Sequence, residues 1–416
     1  MPGVTPPPTP KLFRAGTHRT LAPEQTLARM RRLMPVLGIT RIANVTGLDS
    51  IGLPVVMVTR PNARSLSVAQ GKGLTLAAAQ ASGLMEAIES YHAEHITLPL
   101  KLATYQQLCF THRLLDVTAL PRSAPGGFHA HLRTLWVEGR SLFDGGSRWL
   151  PYELVHTDFT LPLPPGSGCF AMSSSGLSSG NHLLEAIGHG LCELVERDAT
   201  TLWWLRGREE KLRTRVALDS VGDPACREVL ERYARAGVAV SLWDITSDVG
   251  LAAFRCAIAP MEAEPQRPLG PMGGMGCHPT REIALLRALT EAAQSRLTLI
   301  SGARDDMFSQ RLALPAWREQ LRQFHAHREA DGPRRRFDEV PTHDSETFEG
   351  DVAWVGERLR AVGLNEAVVV DLSKPELGVP VVRVVVPGLE ALHELPGYTP
   401  GPRARAVLAG RAEERT

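Results

Sequence analysis

Apolar residues recur at helical spacing along much of the chain, and short β-branched runs bounded by glycine or proline interrupt them. THRTLAPEQTLARMRRLMPVLGI predicts a helix with a Thr- or Pro-marked start, GLPVVMVTRP (52–61) a strand, and the Ala-rich LTLAAAQASGLMEAIESYHAEH (74–95) a long helix. The clearest helix spans 182–198, where Leu184, Ile187, Leu191, Leu194 and Val195 make one apolar stripe. VAVSLWDIT and AAFRCAIAP then read as strands and TREIALLRALTEAAQSRLTLI as a helix; 351–362 reads as another helix, and EAVVVDLS and PVVRVVVPG as closing strands. Mixed strands and helices throughout predict an α/β (mixed α+β) fold.

Three stretches lack such a pattern. Residues 1–11, MPGVTPPPTPK, read as a floppy tail, and ordered structure is expected from Leu12. The polar segment 326–350 has few large apolar side chains and is expected to be a mobile surface connection. The Pro-, Gly- and Arg-rich residues 396–416 are expected to form a flexible tail.

Composition narrows the function classes. A chain of 416 residues with 43% hydrophobic content can bury a substantial core. With 46 basic against 45 acidic residues, the net charge of +1 gives no bulk attraction to nucleic acid or a membrane surface. No apolar run approaches the ~20 residues of a membrane-spanning helix. No secretory-type segment opens the sequence, so a cytoplasmic location is expected. The six cysteines are scattered without a C-x-x-C pair, which predicts buried reduced thiols rather than a zinc site.

The candidate chemistry lies in the glutamates. GLMEAIES (83–90) and GLCELVER (190–197) share a Gly-Leu-x-Glu-x-aliphatic-Glu pattern, and RALTEAAQSR (287–296) adds Glu291 in a related Glu-x-x-Gln. At ~100° per residue, Glu185, Glu193 and Glu196 fall within ~80° of one another, beside Asn181 and His189. A solvated acidic face normally interleaves lysine at i+4, yet no lysine occurs between 102 and 210. Gly176, Gly180, Gly188 and Gly190 crowd the start and middle of the same helix, which predicts that backbone or ligand comes close. Glu86 and Glu89 share a face of the other helix, with Ser82 one turn earlier.

Carboxylates gathered without basic partners repel, and a hard divalent cation with oxygen ligands relieves them. Magnesium is usually held by one or two carboxylates plus phosphate oxygens, so the cluster suggests a nucleotide triphosphate carried on metals, with Arg197, Arg287 and Arg296 facing phosphates. A solvated acidic stripe is the alternative that residue spacing alone leaves open. No P-loop is present: QGKGLTL (70–76) lacks the spaced first glycine and the Ser/Thr after Lys72. GGMGCHP (273–279) is Gly-rich but lacks the dinucleotide-binding spacing. His189 and Cys192, at i and i+3, are a minor candidate for a Cys–His nucleophile.

These residues resemble the YcaO proteins, within the branch encoded beside TfuA proteins, from about Phe13 to Leu392. The core of the resemblance is SSGN-x3-E-x7-E-x-x-ER, standing here as Ser178, Asn181, Glu185, Glu193, Glu196 and Arg197. Ser82, Glu86 and Glu89 follow the matching S-x3-E-x-x-E. The resemblance implies a YcaO-type fold with ATP and Mg2+ between the Glu-bearing helices, residues 12–65 being the N-terminal part of that domain and 66–395 its core. It implies Glu86, Glu89, Glu193 and Glu196 as magnesium ligands. Ser82, Ser178, Asn181 and Glu185 would lie at the nucleotide, Arg197 and Arg287 would neutralise phosphates and, with Glu291, serve catalysis. Arg19 and Thr26 match a basic and a hydroxyl residue seven apart near the nucleotide, although lysine is common at the first.

By the same resemblance the reaction is ATP-dependent activation of a peptide-bond oxygen in a ribosomally made peptide or protein. External sulfide gives a backbone thioamide, with a TfuA-like protein supplying it; a Cys, Ser or Thr side chain gives an azoline ring. GTHRTLAPEQT, QGKGLT and ASGLMEAIESYHAE are similar to the TfuA-linked group, and the C-terminal GYTPGPRARAVLAGRAEERT lacks the Pro-x-Pro-x-Pro tail frequent in azoline formers. Thioamide formation is therefore expected first, azoline cyclodehydration second, and a non-catalytic ATP-binding accessory role third. The family also implies a homodimer.

Overall fold

Each of the three helices that carry the Glu-x-x-Glu and Glu-x-x-Gln patterns lies on a sheet of its own. The computed structural model describes residues 8–123, 127–262, 269–303 and 314–413. After α1 (Pro23–Met30), strands β1 (Arg41–Asn44), β2 (Val55–Thr59) and β3 (Val68–Lys72) form an antiparallel sheet in that order, covered by α2 (Leu76–Glu94). Then come β4 (Leu100–Thr104), the single turn α3 (Tyr105–Leu108), β5 (Arg133–Ser141), β6 (Ser147–Pro151) and β7 (Leu177–Ser179), followed by the long α4 (Leu183–Leu205). Helices α5 (Arg208–Arg213) and α6 (Pro224–Arg235) lead into an antiparallel sheet of β8 (Val238–Asp244), β9 (Ala252–Pro260) and β10 (Met272–His278), on which α7 (Arg281–Ser301) packs. After α8 (Leu314–Glu329) and α9 (Phe348–Ala361), β11 (Val368–Asp371) and β12 (Val381–Val385) complete a six-stranded sheet. Its order is β4-β5-β11-β12-β7 with β6 beside β5, and α4 lies against β7 and β12. The last helix, α10 (Pro402–Glu413), packs on α4.

Glycine sets how near each helix approaches its sheet. A Cβ on Gly71 of β3 would lie 2.0 Å from the Ala79 carbonyl oxygen of α2, and one on Gly276 of β10 would lie 2.1 Å from that of Ala284 in α7. Only a residue without a side chain fits there. Gly190 of α4 plays the same part against Ser178 and Val384, so this helical glycine serves backbone packing rather than a ligand. The buried apolar residues fall into three clusters, each containing one of these helices: Leu84 and Ile88 of α2 belong to the first, Leu191 and Val195 of α4 to the second, Leu285 and Leu289 of α7 to the third.

The structure corrects three expectations drawn from composition. Residues 326–350 are not a loose connection: α8 runs to Glu329, and Phe337 and Val340 enter the core. The N-terminal stretch is anchored before Leu12, because the enclosed Lys11 ammonium binds Asp351 at 2.9 Å and the Thr9 amide binds Glu349; residues 1–7 lie outside the described residues. The C-terminal stretch forms α10, fixed by Arg403 on Asp198 at 2.9 Å and by Glu390 accepting from the Gly401 and Ala404 amides. In each case the fixing partner is distant in sequence, which a local reading of polarity does not see. Helix 182–198 continues to Leu205 because Leu202 and Trp203 remain buried. Among the described residues, no helix is long and apolar enough to cross a membrane.

Candidate functional site

Five glutamates, from α2, α4 and α7, share one local rule: each accepts a hydrogen bond from a main-chain amide of another segment. Glu89 of α2 receives the Ser179 amide at 2.8 Å and its hydroxyl at 2.6 Å. On α4, Glu185 takes the amide and hydroxyl of Thr20, both at 3.0 Å, Glu193 takes the Gly176 amide at 3.0 Å, and Glu196 the Cys277 amide at 3.0 Å. Glu291 of α7 takes the Met275 amide at 3.1 Å. The amides orient the carboxylates while leaving lone pairs for other partners. Because alternate residues of β10 hold Glu196 and Glu291, that glycine-rich strand joins α4 to α7.

Cations are present: Arg197 comes from α4 itself, at i+4 from Glu193, and the others come from outside that helix. Arg197 lies 3.2 Å from Glu193 and 3.7 Å from Glu196. Lys72, at the end of β3, binds Glu291 at 2.9 Å and Gln294 at 2.9 Å. Arg19 lies 3.3 Å from Glu185. The Thr26 hydroxyl donates to the Asn181 side chain at 3.2 Å, so this N-terminal segment is tied to the start of α4. Ser82 and Glu86 sit on the exposed side of α2.

Burial, with Glu86 and Glu193 adding repulsion, pushes the Glu89 carboxyl up to about 8 against the Ser179 hydrogen bonds. Burial raises Glu196 as well, with Glu291 and Glu193 opposing the relief from Arg197 and Arg287. At Glu291 burial acts upward, but Lys72 and Arg197 outweigh it and hold the carboxyl below its ordinary value. The Arg287 Nε is buried and has no partner among the described residues. Such an orphaned guanidinium nitrogen beside acids of raised pKa fits a site built to receive a polyanion together with cations.

Among the described residues, no three His, Cys, Asp or Glu side chains converge as a self-sufficient metal cage.

Several candidate residues take other places. Arg296 does not face the site: it is buried and binds Asp49 through two nitrogens at 2.9 and 3.1 Å, a structural pair between α7 and the loop before β2. Ser178 is fully buried and donates to the Ala186 carbonyl at 2.8 Å, which anchors α4 to β7; its neighbour Ser179 is the serine that meets a site glutamate. The Cys–His nucleophile is not formed, since burial pushes the Cys192 thiol up to about 12 and His189 well down, leaving both neutral. The residue that sequence reasoning missed is Lys72. Its signal was a lysine ending a β-run beside glycines, weighed only against P-loop spacing. Arg383 of β12 was missed too: it is fully buried, close enough to Glu193 to feel its charge, and its Nη1 has no partner among the described residues.

Residues 70–390 match the family described as YcaO cyclodehydratase, ATP- and Mg2+-binding. The chain is 40% identical over 379 residues to an uncharacterized protein in the tfuA 3′ region of Rhizobium leguminosarum bv. trifolii, covering 89% of this chain and 88% of that one. It is 34% identical over 380 residues to an uncharacterized protein of Methanothermobacter thermautotrophicus, covering 89% and 95%. A solved heterocyclase in complex with substrate and cofactor superposes with a TM-score of 0.78 at 26% identity, over 96% of this chain and 56% of that longer one. YcaO from Methanopyrus kandleri bound with AMPPCP and Mg2+ shares the fold, with a TM-score of 0.74 at 23% identity over 95% and 99% of the two chains. The family match over most of the chain, together with these relatives, establishes that this chain belongs to the YcaO family of ATP- and Mg2+-binding, peptide-modifying enzymes.

Proposed function

We propose that this chain uses ATP to activate a backbone amide oxygen and, with sulfide delivered by a TfuA-like partner, converts that amide to a thioamide. Hydrosulfide adds to the amide carbon, and the resulting oxyanion attacks the γ-phosphorus of ATP with departure of ADP. Collapse of the tetrahedral species forms C=S and expels the original amide oxygen in inorganic phosphate, the proton lost from sulfur going to solvent or phosphate. The amide oxygen is a poor leaving group until it is phosphorylated, which is why the reaction needs ATP.

The observation that carries the ATP-dependent part is the set of amide-oriented glutamates from three helices, with the unpartnered Arg287 Nε among them. Glu86, Glu89, Glu193 and Glu196 would hold magnesium, which when bound neutralises phosphate charge. Arg197 and Arg287 would bind phosphate oxygens and stabilise charge that develops in transfer. Glu291, held ionised by Lys72, fixes that lysine where it would meet phosphate charge. Arg19, Thr26, Asn181 and Glu185 form the wall toward the nucleoside, and Ser82 lies at its rim.

Sulfide as the nucleophile is favoured by the relative from a tfuA region. It is also favoured by the C-terminal segment, which docks through Arg403 on Asp198, a face of α4 ~140° from Glu193. Azoline formation is the second reading, favoured by the likeness to a heterocyclase. It would use the same carboxylates, with a substrate side chain in place of sulfide. Intact-mass analysis of peptides encoded nearby, incubated with the protein, its TfuA-like neighbour, ATP, Mg2+ and sulfide, separates them. Exchange of oxygen for sulfur is expected; loss of water without sulfide would replace the first reading by the second.

A further inference from the structure

A cavity of about 590 Å3 opens at the outer edge of β8, on the far side of its sheet from the glutamates. Residues 214–216 run antiparallel to the end of β8: the Asp244 amide donates to the Thr214 carbonyl at 2.8 Å, and the Val216 amide to the Leu242 carbonyl at 2.9 Å. The pairing then stops, because Leu218–Ser220 turns into a 3-10 helix. Alternation along an antiparallel strand directs the main-chain groups of Val240 the same way as those of Leu242, toward the cavity. No described residue meets them there. The Ser241 hydroxyl, on a residue only 8% exposed, lines the same cavity and has no partner among the described residues. Buried main-chain and hydroxyl groups of this kind require a partner.

The rim is charged. Arg215 fixes the end of α8 over the cavity through the carbonyls of His327 and Ala330, at 3.0 and 2.7 Å. Arg328 and Arg334 also line it, and neither guanidinium makes an ion pair among the described residues; Arg334 donates only to the Arg328 carbonyl, at 3.2 Å. Asp219 and Glu329 are the acids in the lining, so the balance is three arginines to two carboxylates.

We propose that this groove takes an extended, acidic segment of the polypeptide substrate, which adds to the edge of β8 at Val240 and places a carboxylate between Arg328 and Arg334. An open strand edge supplies main-chain hydrogen bonds and the arginines supply selectivity. A strand added outside β8 lies three strand spacings from β10, ~14 Å across the sheet, so at least about five further extended residues of the same polypeptide are needed to reach the glutamate site. The inference rests on the proposed peptide-modifying function for the identity of the segment.

The test uses the full chain and a fluorescein-labelled, N-acetylated peptide of alternating valine and glutamate, followed by anisotropy. Saturable binding is expected, weakened by added salt and roughly tenfold or more by Arg328→Glu with Arg334→Glu. Ser241→Leu, which fills the cavity, should weaken it comparably, and exchange of the Val240 amide should slow when peptide is present. Absence of binding, or binding indifferent to both variants, would overturn the proposal. Competition by free glutamate as strong as by the peptide would make this a small-anion pocket and overturn it too. Nucleotide binding with Mg2+, measured on the same samples, is expected to be unchanged by these variants. Loss of nucleotide binding by the unaltered chain, with peptide binding intact, would instead count against the proposed function alone.

Discussion

Glu89 concentrates the electrostatic conflict of the site. Its carboxyl is raised to about 8 by burial and by its acidic neighbours, so the folded protein binds this proton more tightly than the unfolded chain does. The stability that follows is present below the ordinary carboxylate range and is lost as pH rises through about 8. With partial solvent contact discounted, the loss is on the order of 2 kcal/mol. Thermal melts without Mg2+ should show it, and Glu89→Gln should flatten that slope while reducing Mg2+-dependent ATP turnover by roughly a hundredfold. Arg296 gives the contrasting case. Arg296→Met should destabilise the fold by about 3 kcal/mol, because Asp49 would be left buried and unpaired, yet leave nucleotide affinity at its original value. Calorimetric titration on refolded, monodisperse protein checks the second part. Both residues looked equally eligible in sequence, and only the fold separates them: one points between helices at other acids, the other at an aspartate 247 positions away.

Among the elements, α2, α4 and α7 were legible because their apolar stripes and helix-forming residues agree with the Glu-x-x-Glu and Glu-x-x-Gln spacing. β10 was not. Its MGGMGCH has the composition of a loop, and its glycines make sense only once α7 lies on them. Gly276→Ala and Gly71→Ala should each cost roughly 1–3 kcal/mol, since a new methyl would meet a helix carbonyl and push helix from strand. Gly188→Ala, whose nearest neighbour would be Val352 at 3.8 Å, should be neutral or slightly stabilising. Urea midpoints for the three variants test the distinction. The strands β5 and β7 escaped a reading by local pattern because they pair with β11 and β12 from the end of the chain.

For the molecule as a whole, the two ends of the chain are structural parts of the site's surroundings. The N-terminal segment is held by Lys11 on Asp351 and reaches Glu185 through Arg19 and Thr20, while α10 braces α4 from behind. Composition marked both ends as loose because their partners lie across the fold. Acid should undo this assembly in a defined window. Burial holds His18 and His92 down at about 4, so the stability they confer is present above their ordinary pKa of 6.5 and is lost as pH falls through about 4. Each contributes on the order of 3 kcal/mol to that slope, and His92→Leu should remove its share from the pH dependence of the urea midpoint. The histidine window, about 4 to 6.5, and the Glu89 window, 4.5 to about 8, overlap with opposite signs; two histidines outweigh one carboxyl below 6.5, so these groups predict maximal stability of the metal-free protein near pH 6.5.

In the proposed reaction the amide oxygen itself leaves as phosphate. A substrate peptide carrying a heavy-oxygen label in the modified amide, turned over with ATP, Mg2+ and sulfide, tests it most directly. The label is expected in inorganic phosphate, one atom for each thioamide formed. Thioamide formed with unlabelled phosphate, the heavy oxygen appearing in water, would contradict it.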